Sequence, residues 1–271
     1  MTNLLLLHHD IEISAAKIDT AQVAWDSLHP IDNARGGMRG SRLKTKPVST
    51  SASGIVDLVF TLATGQEKAA SYLYIPLLKK RSVDSWKGDL TLSRSSDGTS
   101  WTDVFTTSDI NLATMVGRDL VDYHKGFTET SAYQYWRIRF SGVTTGRSVN
   151  IGAPFLGVPL DLQAEWNSWD ILFKDIDEPL ITNASTTHLG KTGESKRIIA
   201  AEWGNVSEAS MELFKDKIQK YTGKHGIILY PQVNDFITDA ELFIHCKIYD
   251  IKITKNDTSN LNLISAKFEE L

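Results

Sequence analysis

The run Tyr135-Trp136-Arg137-Ile138-Arg139-Phe140 alternates a tyrosine and two arginines with three large apolar side chains. Successive side chains of a strand point to opposite faces. An extended chain therefore sends Trp136, Ile138 and Phe140 into one core and leaves Tyr135, Arg137 and Arg139 wet. A helix would scatter the same residues around its circumference. The strand belongs to a sheet with one buried and one solvated face, as antiparallel sheets have.

The same signature recurs over the first 160 residues. Short apolar or alternating runs at 4–8, 12–14, 55–61, 70–75, 90–95, 101–105, 135–141 and 148–157 are separated by Gly, Asn, Asp, Ser and Pro, without helical periodicity. Ser95-Ser96-Asp97-Gly98-Thr99-Ser100 supplies the Asp-Gly pair whose positive φ closes a tight hairpin. Residues 25–46, centred on Arg35-Gly36-Gly37-Met38-Arg39-Gly40, read as a long loop. The expectation for residues 1–160 is a jelly-roll β-sandwich.

Beyond Pro159 the pattern changes. Met211, Phe214, Ile218 and Tyr221 recur at helical spacing behind Ser207, a helix N-cap type, with acids early, lysines late and Gly223 placed to end the helix. Runs at 169–173, 196–203, 226–230, 242–254 and 261–268 read as strands around it. Residues 161–271 are thus expected to form an α+β domain of order β-β-α-β-β-β, and the chain to be mainly β with one helix.

Two resemblances follow from these residues. The turn Ser95-Ser96-Asp97-Gly98-Thr99-Ser100-Trp101 between two strands, with Tyr135-Trp136-Arg137-Ile138, resembles the S-x-D-G-x-x-W and Y-x-R-I features of galactose-binding-like (discoidin or coagulation factor 5/8 C-type) sandwiches. It implies a hairpin closed at Asp97-Gly98 and a Trp101 that covers one end of the core. The segment from Asn150 to Leu160 looks like the strand closing such sandwiches in tailed-bacteriophage structural proteins. The order Lys196 to Trp203, helix, then long strands ending in Lys267-Phe268-Glu269-Glu270-Leu271 is similar to the tail-tube-like unit of phage distal tail and baseplate hub proteins. Here the sandwich precedes that unit, the reverse of the distal tail order.

Composition narrows the chemistry. A net charge of −4 and a pI near 6.0 give no global footprint for nucleic acid. No stretch reaches the roughly 18 apolar residues of a membrane helix, so no membrane insertion is expected. The N-terminal Leu4-Leu5-Leu6-Leu7 lacks the basic flank and small-residue cleavage site of a secretory signal and reads as an opening strand. Cys246, the sole cysteine, alternates like a core residue and supports no disulfide framework or thiolate cluster.

Motifs for catalysis are absent: no G-x-S-x-G, P-loop, H-E-x-x-H, dinucleotide fingerprint or EF-hand loop occurs. The glycines around Gly36, Gly37 and Gly40 lack the strand, helix and Lys of a phosphate loop. His8 and His9, beside Asp10, project to opposite faces of a strand and do not readily share a metal ion. His188, His225 and His245 lack spaced ligand partners. Asp170, Asp175, Asp177 and Glu178 near Trp166 and Trp169 carry the residue types of a glycosidase cleft, but read more simply as a solvated linker and strand edge. Trp25, Trp86 and Trp101 with Arg35, Arg39, Arg42 and Arg94 offer stacking faces and donors for a sugar at a loop end, or simple packing. No catalytic, cofactor or metal residue is assigned, and no individual ligand-binding residue is named.

The function expected from these readings is structural: a virion component of a phage tail tip or baseplate, assembled in the host cytoplasm. Its C-terminal domain would form a homo-oligomeric ring, and its sandwich would dock other tail or baseplate proteins or a host-surface glycan. The alternative is a carbohydrate-binding module without catalysis.

Overall fold

A computed structural model describes residues 4–7, 28, 42–45, 54–62, 64–78, 87–111, 120–128, 130–143, 145–152, 154–161, 165–175, 195–218, 227–231, 244–255 and 262–270. Among the described residues the chain is mainly β with one helix, and it divides into two compact units, Leu7–Pro159 and Met1–Leu6 with Leu160–Leu271. Among the described residues no helix is long and apolar enough to cross a membrane.

The Leu7–Pro159 unit is a sandwich of two sheets. One contains β3 (Val56–Thr61), β8 (Tyr135–Phe140), β5 (Lys87–Ser95) and β6 (Thr102–Asn111) in that spatial order. The other is built on β4 (Tyr72–Leu78), which pairs along its length with β7 (Leu120–Gly126) and also with β10 (Phe155–Gly157) and β9 (Asn150–Gly152); β2 (Arg42–Lys44) extends it from β9. The run at 148–157, expected as one strand, is two, because Pro154 has no N–H to donate to a ladder. β7 was not expected at all.

Strand β8 alternates between half-buried and buried residues, as its sequence requires. Trp136, Ile138 and Phe140 are 0%, 0% and 1% exposed. They meet Leu58, Phe60, Leu90 and Leu92 of their own sheet and Leu73, Ile75, Ile151 and Leu156 of the other. Side chains of this size each contribute about 1.5–3 kcal/mol by leaving water. Along one open side, between β6 and β7, Tyr123 and Thr107 share a hydroxyl hydrogen bond of 2.7 Å, while Lys125 Nζ sits 4.4 Å above the Phe105 ring and donates to Thr107. Burial pushes the Tyr123 phenol pKa up.

The second unit is a seven-stranded sheet of order β11-β1-β14-β15-β16-β13-β12, made of β1 (Leu4–Leu7), β11 (Leu160–Asp161), β12 (Glu165–Asp175), β13 (Ser195–Val206), β14 (Ile227–Pro231), β15 (Ile244–Lys255) and β16 (Asn262–Glu270). The helix α1 (Glu208–Lys217) begins as the sequence predicts: the Ser207 hydroxyl accepts from the Ser210 N–H, and Glu208 precedes Lys215 and Lys217. Met211, Phe214 and Ile218 bury against Trp203 and Phe268, with the Phe214 ring 6.0 Å from Trp203. Just before α1 the β13 register slips, and Asn205 takes up the left-handed φ of 57° that asparagine tolerates better than most residues. Cys246 is buried in this core. Gly223 lies outside the described residues.

The linear division at 160 is corrected at the N-terminus. Strand β1, assigned by contiguity to residues 1–160, pairs antiparallel with β11, Leu5 opposite Asp161 and Leu6 opposite Leu160. The sandwich is therefore an insertion between two adjacent strands of the other unit. Sequence neighbours are usually neighbours in space, and one excursion of about 150 residues overrides that prior here. An insertion whose ends lie side by side is removable. Replacing residues 8–158 by an Asn-Gly turn is expected to leave a folded C-terminal unit with a cooperative thermal transition. A molten product by near-ultraviolet circular dichroism would refute the insertion reading.

Candidate recognition face

The outer face of the β3-β8-β5-β6 sheet carries a cluster of mutually bonded polar and aromatic groups. It starts from β8, whose alternation places Arg137 and Arg139 there. Arg139 Nε and one terminal nitrogen each donate to Asp57, its cross-strand neighbour on β3, at 2.7 Å. This two-pronged geometry is the strong form of an arginine–carboxylate pair, and hydrogen bonding to Asp57 raises the Arg139 pKa.

Arg137 is held differently. Its guanidinium carbon stands 4.4 Å from the Trp101 ring centroid, and a terminal nitrogen donates to Ser93 Oγ at 3.2 Å. Ser93, directly opposite Arg137 in the β5–β8 register and fully buried, donates in turn to Asp103 Oδ1 at 2.8 Å. Burial and the like charge of Arg139 lower the Arg137 pKa, against the opposing pull of Asp57 and Asp103. The guanidinium stays charged, since its ordinary pKa lies above 12. The Arg137 Nε is buried with no hydrogen-bond partner among the described atoms.

The hairpin turn fixes Trp101. Ser95 Oγ accepts the N–H groups of Asp97 and Gly98 at 3.2 and 2.9 Å and donates to Asp97 Oδ1. The same carboxylate oxygen accepts the N–H groups of Thr99 and Ser100 at 2.8 and 2.7 Å. These donors hold the Asp97 pKa well below the usual carboxylate range. Gly98 has φ +72°, a conformation that strains any other L side chain, and a Cβ there would press on the Tyr135 ring at 3.1 Å.

Trp101 departs from expectation. It does not cover the end of the core but lies half-exposed on the outer face, beside exposed Asp103. The reason is parity: it shares the outward phase of Asp103. Arg94 lies on the other side of the sheet, opposite buried Trp136 and 4.6 Å from the Tyr133 ring. The expected grouping of Trp101 with Arg94 at a loop end is therefore not formed. Arg42 lies in β2 of the opposite sheet, and Trp25, Trp86, Arg35 and Arg39 fall outside the described residues.

Only part of the grouping weighed for glycoside cleavage lies among the described residues. Trp166, Trp169, Asp170 and Asp175 fall in β12, while Asp177 and Glu178 lie outside the described residues, as do Gly36, Gly37, Gly40, His8, His9, Asp10, His188 and His225. His245 falls in β15. Among the described residues no three His, Cys, Asp or Glu groups are placed to hold a metal ion. Asp57, Ser93 and Asp103 were not singled out from sequence. Their signal is the outward phase of Arg137 and Arg139, but their identity needs the strand register.

No family model and no curated protein matches the chain. Solved structures do resemble it. The CBM32 of AlyQ in complex with 4,5-unsaturated mannuronic acid is 20% identical with a TM-score of 0.37, covering 55% of this chain and 97% of its own. CBM32-3 from a family 31 glycoside hydrolase of Clostridium perfringens is 19% identical with a TM-score of 0.39, covering 54% and 93%. The C-terminal domain of a Bacteroides fragilis chitobiase is 13% identical with a TM-score of 0.37, covering 54% and 94%. These are loose similarities.

The Asp97 turn predicts a pH dependence. A carboxylate whose folded pKa is depressed contributes stability that is complete above the unfolded value of about 3.9 and is lost as pH falls towards the folded value. The acid limb of the stability–pH curve is expected to be shallower in Asp97→Asn than in the wild type. Equal acid slopes in urea titrations at pH 2.5–5 would refute the assignment.

Proposed function

We propose that the chain is a non-catalytic recognition protein whose sandwich binds saccharide on the β3-β8-β5-β6 face. The observation that carries this reading is the half-exposed Trp101, immobilised by the Arg137 guanidinium on one side and anchored by the Asp97 turn, with exposed Asp103 alongside. An indole plate stacks on the C–H face of a pyranose, while an adjacent donor and acceptor engage ring hydroxyls. The plate is already ordered, so binding forfeits little side-chain entropy. The hydroxyl–carboxylate pair of the cluster, Ser93 with Asp103, has its serine fully buried and out of reach of a substrate, which is why catalysis is left out of the proposal.

A glycan array with the intact chain tests it. Binding to a defined saccharide is expected, with Trp101→Ala weakening it by at least tenfold while the thermal transition moves by only a few degrees. Trp101 lies outside the core, so truncation removes the plate without opening a cavity. Absence of binding to any glycan, or an unchanged affinity in Trp101→Ala, would sink the reading.

A second reading is favoured by the other unit. A sheet carrying one short helix among the described residues, with a sandwich inserted between two of its strands, suits an assembly component such as a phage tail tip or baseplate protein. Detection of the chain in purified virions by mass spectrometry is expected on that reading, and its absence from the particle would exclude it.

A further inference from the structure

The seven-stranded sheet has two very unequal edges. One is β11, with two residues; the other is β12, with eleven. Among the described residues β12 pairs on one side only, with β13. A long edge strand presents a row of N–H and C=O groups to any strand that can align with it, and folded proteins usually blunt such edges. Here the blunting is partial. The register slips between Trp166 and Ser168, and beyond that irregularity the pairing runs unbroken to Asp175. The uninterrupted part reads Ser168-Trp169-Asp170-Ile171-Leu172-Phe173-Lys174-Asp175, with Ile171, Leu172 and Phe173 between Asp170 on one side and Lys174 and Asp175 on the other.

We infer that β12 pairs antiparallel with β12 of a second copy of this chain, about a two-fold axis at Leu172. In that register Leu172 faces its own copy, Ile171 faces Phe173 of the second copy, and Asp170 faces Lys174 of the second copy. The two-fold repeats each of the last two pairings. Apolar and opposite-charge cross-strand neighbours are the pairs that stabilise sheets. Shifting the axis to Asp170 would set Asp170 against itself and Glu165 against Asp175, and shifting it to Ile171 or Phe173 would set a charge against an apolar residue, so the axis at Leu172 gives the matched pairs. The edge lengths also select the symmetry. A head-to-tail ring would require β12 to pair with β11, whose two residues offer few hydrogen bonds, whereas an isologous contact uses the long edge twice.

Sedimentation velocity of the full chain over a range of concentrations tests this, with Asp170→Lys, Lys174→Glu and the double variant. The wild type is expected at twice the 30.2 kDa chain mass. Each single charge reversal turns two attractive pairs repulsive and should raise the dimer dissociation constant on the order of tenfold or more. The double variant restores both pairs with the charges exchanged and should return to within a few-fold of the wild type. That return also shows that the singles are folded. Should a variant misfold, amide exchange of the wild type decides the matter, since protection of residues 169–175 must rise with protein concentration. A monomer throughout, a ring of higher order, singles that dimerise like the wild type, or a double variant that stays monomeric would each overturn the inference.

Discussion

Everything in the sandwich depends on the phase of β8. It pairs with β3 on one side and β5 on the other, so one six-residue strand sets the register of the sheet's centre. Its inner phase supplies two of the largest fully buried side chains, Trp136 and Phe140. Its outer phase supplies the two arginines around which the candidate face is organised. Slipping β8 by one residue would bury both guanidinium groups and expose Trp136. Burying an unpaired charge costs several kcal/mol and exposing an indole forfeits a few more, so the slip is excluded twice. Core and candidate site are one constraint seen from two sides.

This coupling explains what was legible in the sequence. Half-wet strands advertise themselves by alternation, and β8 and β3 follow the expected runs within a residue. Local chemistry was legible too: the Asp97-Gly98 turn and the Ser207 cap need only neighbours in sequence. Strand β7 was missed because exposed His124 alternates with Tyr123 and Lys125 on the inward phase, and the Lys125 ammonium lies over Phe105 instead of in water; a charged residue on the core side breaks the alternation. Asp57 and Asp103 were invisible for another reason. They act through cross-strand partners 82 and 10 residues away, and register between strands is a property of the fold.

The same reasoning accounts for the misplaced N-terminus. Leu4–Leu7 is apolar at every position, as suits a strand with neighbours on both sides, and it lies between β11 and β14 in the sheet order. Composition gives the strand but not its sheet, because four leucines fit any core. What places β1 is pairing: it covers the edge that β14 would otherwise leave open and takes β11 on its other side. The chain meets that need with residues separated from the rest of the unit by the whole sandwich.

The pairing of β1 with β11 has a consequence for folding. Leu6 and Leu160 are opposed in the ladder, so the ends of a segment of about 150 residues must meet for that pair to form. The entropy of closing a loop grows only slowly with its length, so a long insertion costs little more than a short one. The inserted segment also closes a hydrophobic core of its own, distinct from the core of the seven-stranded sheet. Each unit therefore carries its own apolar burial, and the pairing of β1 with β11 has to overcome the closure of one loop and no more.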